Sequence, residues 1–290
     1  MARPLETPMD GAPQVEDFLF GGHRLVYERR GSGPRVTVLV HGVLLDAHLH
    51  RGLATSLASQ DDHRVILLEL LGHGRSDRPT HATLHRVDTY ARQLIALLDH
   101  LGIDQAVIGG TSLGANVALE ATVIAPHRVR GLVVETPVLE WAAPAAGLVF
   151  IPMLLAARFG GPLARGFART AQRLPRTGYG LVDTFLNAAS MAPREVAAVL
   201  HGVLIGPLAP PVEARRAMDV PALVLGHGRG AIHPFSDAEN LANQLPRARL
   251  VQAKSALELR TRPTRLTGEI RDFLDEVWQP RVAGEVPARA

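Results

Sequence analysis

Apolar and polar residues alternate along this chain in two distinct patterns. Short β-branched runs such as Arg35–Val40 (RVTVLV) and 64–70 (RVILLEL) are apolar at consecutive positions, which is typical of strands buried on both faces. Longer segments, such as 87–101, repeat apolar residues every three or four positions, which predicts amphipathic helices. Because the two patterns alternate, we predict an α/β fold with a mostly parallel sheet covered by helices on both faces. The other predicted strands are His23–Arg30 (an edge strand), 106–108, 129–134, 222–225 and 249–251.

The segment 137–217 interrupts this alternation. It contains apolar stretches and several prolines but no strand pattern, so we predict several short helices. An insertion of this kind favours a helical cap over the carboxyl edge of the sheet, where open α/β sheets bind ligands. The predicted organisation is an N-terminal lead-in (1–20), a core (21–136 and 218–278), the cap (137–217) and a C-terminal tail (279–290).

Composition narrows the classes of partner. The chain has 290 residues, 47% of them hydrophobic and 20% charged, which is typical of a folded domain and not of a disordered chain. A formal net charge of +3 is too small to favour nucleic acid as a partner. The longest apolar run, 145–157, contains Pro152 and is shorter than the roughly 20 residues of a bilayer-spanning helix, so we expect no stable membrane insertion. The N-terminus shows no apolar signal segment, so we expect a cytoplasmic protein, and a homo-oligomer is compatible with the sequence.

Cysteine and histidine counts limit the available chemistry. The chain has no cysteine, which excludes a cysteine nucleophile and thiolate zinc sites, and it has 13 histidines as candidate general bases. No histidine spacing resembles a metal-binding motif, and no dinucleotide-binding motif is in register. We therefore expect neither a metal nor a cofactor.

The strongest chemical motif is 110–114 (GTSLG), which matches G-x-S-x-G. A short apolar strand is predicted before it and an Ala-rich helix after it, the context of a nucleophile elbow. In such an elbow the serine occupies a strained turn, and the helix N-terminus favours negative charge on the substrate oxygen. The motif in this context predicts that Ser112 is a nucleophile.

Four segments carry a resemblance to a known family: VLVHG (38–42), LLGHGRSDRP (70–79), GGTSLGAN (109–116) and VPALVLGHGR (220–229). With these motifs the chain resembles the α/β-hydrolase superfamily from about residue 23 to residue 278. The resemblance implies that Ser112 is the nucleophile and that the backbone amides of Val43 and Leu113 form the oxyanion hole. It also implies that His41 shapes its loop and is not a base.

The two other positions of the family's catalytic triad are replaced. Gly230 stands where the acid is expected, and Ala256 stands where the histidine is expected. His233 is our preferred alternative base, with His227 as a second candidate in the same loop. Glu135, at a strand end where haloalkane dehalogenases place their acid, is the alternative acid.

Two functions remain open at this point. The first is a serine hydrolase with a non-standard triad that acts on a small apolar ester or related acyl compound, since the predicted cap is rich in apolar residues. The second is a catalytically degenerate α/β-hydrolase-fold protein that binds a ligand or has a regulatory role. A series of cap arginines is interpreted as solvated helix faces, with a carboxylate clamp as the alternative: Arg158, Arg165, Arg169, Arg173 and Arg176.

Overall fold

A single eight-stranded sheet forms the centre of the molecule. The structure is a computed structural model that describes residues 13–228, 230 and 232–279. The strands are β1 (Gln14–Phe20), β2 (His23–Arg30), β3 (Arg35–Val40), β4 (His63–Glu69), β5 (Ala106–Thr111), β6 (Val129–Glu135), β7 (Ala222–His227) and β8 (Ala248–Ala253). The strand order is β1-β2-β4-β3-β5-β6-β7-β8; β1 and β2 run antiparallel to their neighbours, and all the other pairs are parallel. The prediction of a mostly parallel sheet is confirmed.

Helices cover both faces of the sheet. The helices are α1 (Arg51–Leu57), α2 (Val87–His100), α3 (Leu113–Ile124), α4 (Ala143–Phe159), α5 (Gly161–Arg173), α6 (Gly180–Ala189), α7 (Pro193–Ile205), α8 (Val212–Arg216), α9 (Phe235–Gln244), α10 (Glu258–Thr261) and α11 (Thr264–Trp278). Val38 and Val40 of β3 pack with helices α2, α3 and α9, whereas Leu39 between them packs with α1 and α11 on the other face. Consecutive apolar residues in the strands therefore serve two separate cores, as the sequence pattern predicts.

The N-terminal edge of the sheet corrects one sequence prediction. Residues 14–20, assigned to a loose lead-in, form strand β1, which pairs with β2 across a turn at Gly21 and Gly22. Strand β2 is consequently an inner strand and not the edge strand. The strand pattern of residues 14–20 was hard to recognise because apolar residues lie on both faces. Phe18 is buried, whereas Val15 and Leu19 are exposed on the opposite face. The predictions for 1–12 and 280–290 lie outside the described residues.

Five helices, α4 to α8, lie in the insertion between β6 and β7. The insertion packs on loops at the carboxyl ends of the strands, since Leu44, just after β3, forms a buried cluster with Met191, Val199 and Leu200. Within the described residues no single helix is long and apolar enough to span a bilayer. Two bent pairs, α4 with α5 and α6 with α7, reach that length and composition only when the helices of each pair are counted together.

Candidate active site

Ser112 lies on a sharp turn between β5 and α3. Its backbone has φ of 56°, in the left-handed region that non-glycine residues rarely adopt, and the strain persists because the surrounding strand and helix hold the turn. The flanking glycines are required by close packing, since a Cβ on Gly110 or Gly114 would overlap the carbonyl oxygen of Val40. The strand–turn–helix context predicted for the motif is therefore present.

His233 contacts the Ser112 hydroxyl. The distance from His233 Nε2 to Ser112 Oγ is 2.9 Å, within hydrogen-bond reach, although the two residues are 121 positions apart. Burial of the ring, together with the neighbouring His227, lowers the pKa of His233 to about 4, against a small opposing effect of Glu135. The imidazole is consequently neutral near pH 7 and can accept a proton from the hydroxyl if Nδ1 carries the ring proton.

The ring of His227 lies beside that of His233, and it forms no hydrogen bond with Ser112. His227 is the last residue of β7 and is buried, with 6.3 Å between the two ring centroids. Neither ring nitrogen of His227 has a hydrogen-bond partner in the described part of the chain. A Cβ on Gly230 would lie only 2.7 Å from Cε1 of His227, so this ring occupies the space that a side chain at the usual acid position would need.

The structure does not bring Glu135 to His233. Its carboxylate accepts hydrogen bonds from the Arg260 guanidinium and, at 2.5 Å, from the Thr111 hydroxyl, which itself accepts a 2.8 Å bond from Arg260. Burial alone raises the pKa of Glu135, but Arg260 and Thr111 outweigh that effect and the net shift is downward, so the carboxylate is ionised. Its backbone carbonyl also accepts the Ser112 amide at 2.9 Å.

A buried, hydrogen-bonded group holds the end of β5 that leads into the elbow. It consists of Glu135, Arg260 and Thr111. Arg260 belongs to α10, four positions after Ala256, and Ala256 itself is exposed in the loop after β8. The loop that usually supplies the histidine therefore supplies an arginine to the sheet end instead. Among the described residues no carboxylate contacts His233, so Ser112 and His233 form a pair without a third member.

The two amides expected for an oxyanion hole lie at loop and helix starts. Val43 follows β3 directly after His41 and Gly42, and Leu113 is the first residue of α3. Within the described residues, neither amide donates a hydrogen bond to a protein oxygen. The Val43 turn is held by the buried ring of His41, which lies 2.8 Å from the Gly42 carbonyl oxygen and accepts the Leu70 amide at 3.2 Å. His41 thus shapes this loop.

Two buried polar residues that the sequence interpretation did not single out anchor the start of the insertion. Asp237 in α9 accepts the backbone amides of Leu139, Trp141 and Ala142 at 2.8 to 3.2 Å. Asn116 in α3 donates to the carbonyl oxygens at positions 138 and 208 and accepts the amide of 138. Both the serine helix and the segment after His233 are therefore tied to the insertion. The available sequence signal for Asn116 was a polar residue within the apolar first half of its helix.

A family model described as the alpha/beta hydrolase fold matches residues 36–233, more than half of the chain. The chain therefore belongs to the α/β-hydrolase fold family, whose members among the similar proteins include esterases and haloalkane dehalogenases.

Individual relatives are similar over part of their length. The chain is 38% identical over 125 residues to the dihydrolipoyllysine-residue acetyltransferase component of the acetoin cleaving system of Pseudomonas putida, covering 42% of this chain and 31% of that protein. It is 31% identical over 122 residues to haloalkane dehalogenase 2 of Mycobacterium tuberculosis, covering 42% of this chain and 40% of that protein. The alignments thus span about a third of the length of these curated relatives.

Solved structures match over almost the whole chain. A thermophilic esterase from Thermogutta terrifontis is 26% identical with a TM-score of 0.72, covering 91% of this chain and 99% of the esterase. The enol-lactonase from Burkholderia xenovorans LB400 has the same TM-score of 0.72 at 18% identity, covering 90% of this chain and 100% of the lactonase. The lactonase likeness concerns the fold alone.

Proposed function

We propose that this protein is a serine hydrolase that cleaves small apolar esters or related acyl compounds, with Ser112 as nucleophile and His233 as general base. The observation that carries the proposal is the 2.9 Å contact between His233 Nε2 and Ser112 Oγ at a strained elbow. The esterase likeness at 26% identity supports the same reaction class.

The proposed reaction has two steps. Neutral His233 takes the hydroxyl proton while Ser112 Oγ attacks the acyl carbon, and the amides of Val43 and Leu113 bind the resulting oxyanion. The imidazolium then gives its proton to the departing alkoxide, which leaves an acyl-serine. In the second step water attacks the acyl carbon, His233 takes the proton of the water and returns a proton to Ser112, and the acid is released.

Glu135 is proposed as a positioning residue in this scheme. Through Arg260 and Thr111 it holds the end of β5, and its carbonyl oxygen accepts the Ser112 amide, so it fixes the direction of the serine without touching the base. In serine hydrolases that have a triad acid, replacing its carboxylate with the amide costs about 10⁴ in kcat. We therefore expect the Ser112–His233 pair to turn over more slowly than a complete triad.

An apolar cavity in the insertion supports an apolar substrate. It has a volume of 580 Å³ and is lined by apolar side chains of the insertion helices such as Met153, Met191 and Val196. Leu44, next to the proposed oxyanion residue Val43, joins this lining, whereas Ser112 and His233 do not. Cavities of this size and polarity bind ligands through the burial of apolar surface. A short or medium acyl chain fits that environment better than a charged substrate.

The proposal is tested with a fluorophosphonate probe and with p-nitrophenyl esters of increasing acyl length. We expect labelling and ester cleavage in the wild type, loss of both in Ser112→Ala, and a fall of about 10²–10⁴ in kcat for His233→Ala. His81→Ala, which removes an exposed histidine elsewhere, is the matched control and should keep the wild-type rate. A rate unchanged in His233→Ala would remove His233 from the mechanism.

The second candidate function is a ligand-binding protein of the same fold without turnover. It is favoured by one observation, namely that Gly230 and Ala256 replace the usual acid and base and no described carboxylate contacts His233. Binding of an apolar ester by calorimetry without cleavage, together with an unlabelled Ser112, would favour this function. Ester cleavage that disappears in Ser112→Ala would exclude it.

A further inference from the structure

Helix α4 exposes a continuous apolar stripe on its outer side. Its inner side is formed by Ala146, which is buried, and by Phe150 and Leu154, which pack against the buried clusters of the insertion. The opposite side carries apolar residues spaced by three and four positions, so they lie along one line of the helix. These residues are Leu148, Ile151, Leu155 and Phe159.

Helix α5 carries two further large apolar side chains that are exposed to solvent. It meets α4 at a bend of 103°, and its inward side is formed by small residues such as Ala168 and Ala171. Leu163 and Phe167, one turn apart on one flank, are 86% and 67% exposed. Large apolar side chains that protrude in this number are uncommon on a monomer unless the surface meets another phase or partner.

The same two helices carry only positive charge. Between Glu140 and Asp183 the sequence has five arginines and no aspartate or glutamate. Arg165, Arg169 and Arg173 are spaced by four along the other flank of α5, and none of them forms an ion pair with any residue that the structure describes. The two helices therefore combine exposed apolar side chains with arginines that no described carboxylate neutralises.

Two cavities lie on either side of α5. One, of 630 Å³, is lined by four arginines and a histidine, and the other is the apolar cavity of 580 Å³. They share Ala157, Ala168 and Pro193, so a basic and an apolar recess are adjacent. The basic lining consists of Arg158, Arg165, Arg169, Arg194 and His201.

We propose that the outer face of α4 and α5 docks reversibly onto the surface of an anionic lipid bilayer. We define this α4–α5 face by Leu148, Ile151, Leu155, Phe159, Leu163 and Phe167 with the bordering Arg158, Arg165 and Arg169. Apolar side chains enter the boundary between headgroups and acyl chains, while arginines bind the headgroup phosphates. A second copy of the chain is a poorer occupant, because it would bring two arginine-bordered faces together without any carboxylate.

The proposal is tested by co-sedimentation of the full chain with vesicles, a measurement that requires no catalytic turnover. The vesicles are made of phosphatidylcholine alone or of phosphatidylcholine with phosphatidylglycerol. We expect at least about tenfold stronger binding to the anionic vesicles, and weaker binding as salt screens the arginines. Equal affinity for both vesicles, or no binding to either, would overturn the proposal.

Two sets of variants separate the contributions. Arg158→Gln/Arg165→Gln/Arg169→Gln should weaken binding to anionic vesicles by about 10²-fold, since each arginine near the surface contributes about 1 kcal/mol. Arg216→Gln/Arg247→Gln/Arg262→Gln removes the same charge from exposed arginines outside α4 to α7 and should bind like the wild type. Equal losses in the two triple variants would overturn the proposed face.

The apolar part is tested with Leu163→Ser/Phe167→Ser, whose side chains are exposed and also line the apolar cavity of 580 Å³. We expect an unchanged Tm and about tenfold weaker binding to vesicles of either composition. Leu19→Ser, an exposed leucine on β1, is the matched control. A wild-type dimer in analytical ultracentrifugation that becomes monomeric in Leu163→Ser/Phe167→Ser would instead assign the face to a second copy of the chain.

Discussion

At the scale of single residues, the environment of His233 decides how Ser112 can react. Burial and the neighbouring His227 lower the pKa of His233 to about 4, which keeps the ring neutral and able to accept a proton across the neutral range. The same environment disfavours the imidazolium that forms during attack, because no described carboxylate contacts the ring. The proposed base is therefore available but weak.

The pH profile of kcat/KM should show this weakness. We expect activity to be lost as the pH falls through about 4, because protonated His233 cannot accept the serine proton.

Gly230→Asp alone should lower the Tm, since its Cβ would meet the His227 ring at 2.7 Å. With His227→Ala added, a carboxylate next to His233 should raise kcat and move the acid limb upward by about 1–3 pH units.

His227→Ala alone is the control for that experiment, because it removes the ring without supplying a carboxylate. It should move the acid limb less than the double variant does. An acid limb that stays at the same pH in all of these variants would mean that His233 does not govern the profile.

At the scale of structural elements, an ion pair joins two distant parts of the chain next to the elbow. It is formed by Glu135 at the end of β6 and Arg260 in α10. Both side chains are almost fully buried, so removing one partner leaves an uncompensated charge. Because Thr111 bonds to both, the pair fixes the end of β5 that leads into Ser112. Helix α10 thus stabilises the site although its own loop contributes no catalytic side chain.

Arg260→Met should therefore lower the free energy of unfolding by about 3–5 kcal/mol, measured by urea denaturation. Glu135→Gln/Arg260→Met should recover part of this loss, because the buried charge is removed. Arg92→Met, which breaks an exposed pair with Asp88 on α2, is the control and should cost less than about 1 kcal/mol. A similar cost for Arg260→Met and Arg92→Met would contradict the buried-pair interpretation.

At the scale of the whole molecule, buried histidines make stability depend on pH. Burial lowers the pKa of His41, His73 and His85, and burial together with Arg260 lowers that of His50 to about 3. The unfolded chain binds these protons below about pH 6.5, whereas the folded chain does not. Stability is therefore full above about pH 6.5 and falls as the pH decreases toward the folded-state pKa values.

The expected loss is about 1.4 kcal/mol per pH unit for each such histidine inside this window. Urea denaturation at a series of pH values between neutral and about 5 measures the slope. His50→Gln should reduce the slope of the unfolding free energy against pH by about 1.4 kcal/mol per pH unit, because one ring fewer takes up a proton on unfolding. An unfolding free energy that does not change across this range would show that the buried rings take up their protons in the folded state.

Most of the fold could be predicted because the signals are local. The strand and helix patterns depend on neighbouring residues, and the elbow motif specified its own strand–turn–helix context. Strand β1 was missed because apolar residues occur on both of its faces. Val15 and Leu19 face solvent, so apolar and polar residues do not alternate as they do in a typical half-buried strand. His233 was predicted as the base, and its ring does lie on Ser112, but the Glu135 carboxylate was expected at the base and lies on Arg260.

The sequence by itself determined the order of strands and helices from β2 onward, the helical insertion and the position of the serine, since each follows from periodicity or from steric demands of a short turn. Tertiary structure decided which side chains meet Ser112. Sequence separations of 121 residues to His233, and of 125 between Glu135 and Arg260, leave no local pattern to read. Those contacts depend on how the carboxyl ends of parallel strands converge, and that geometry exists only after the sheet has formed.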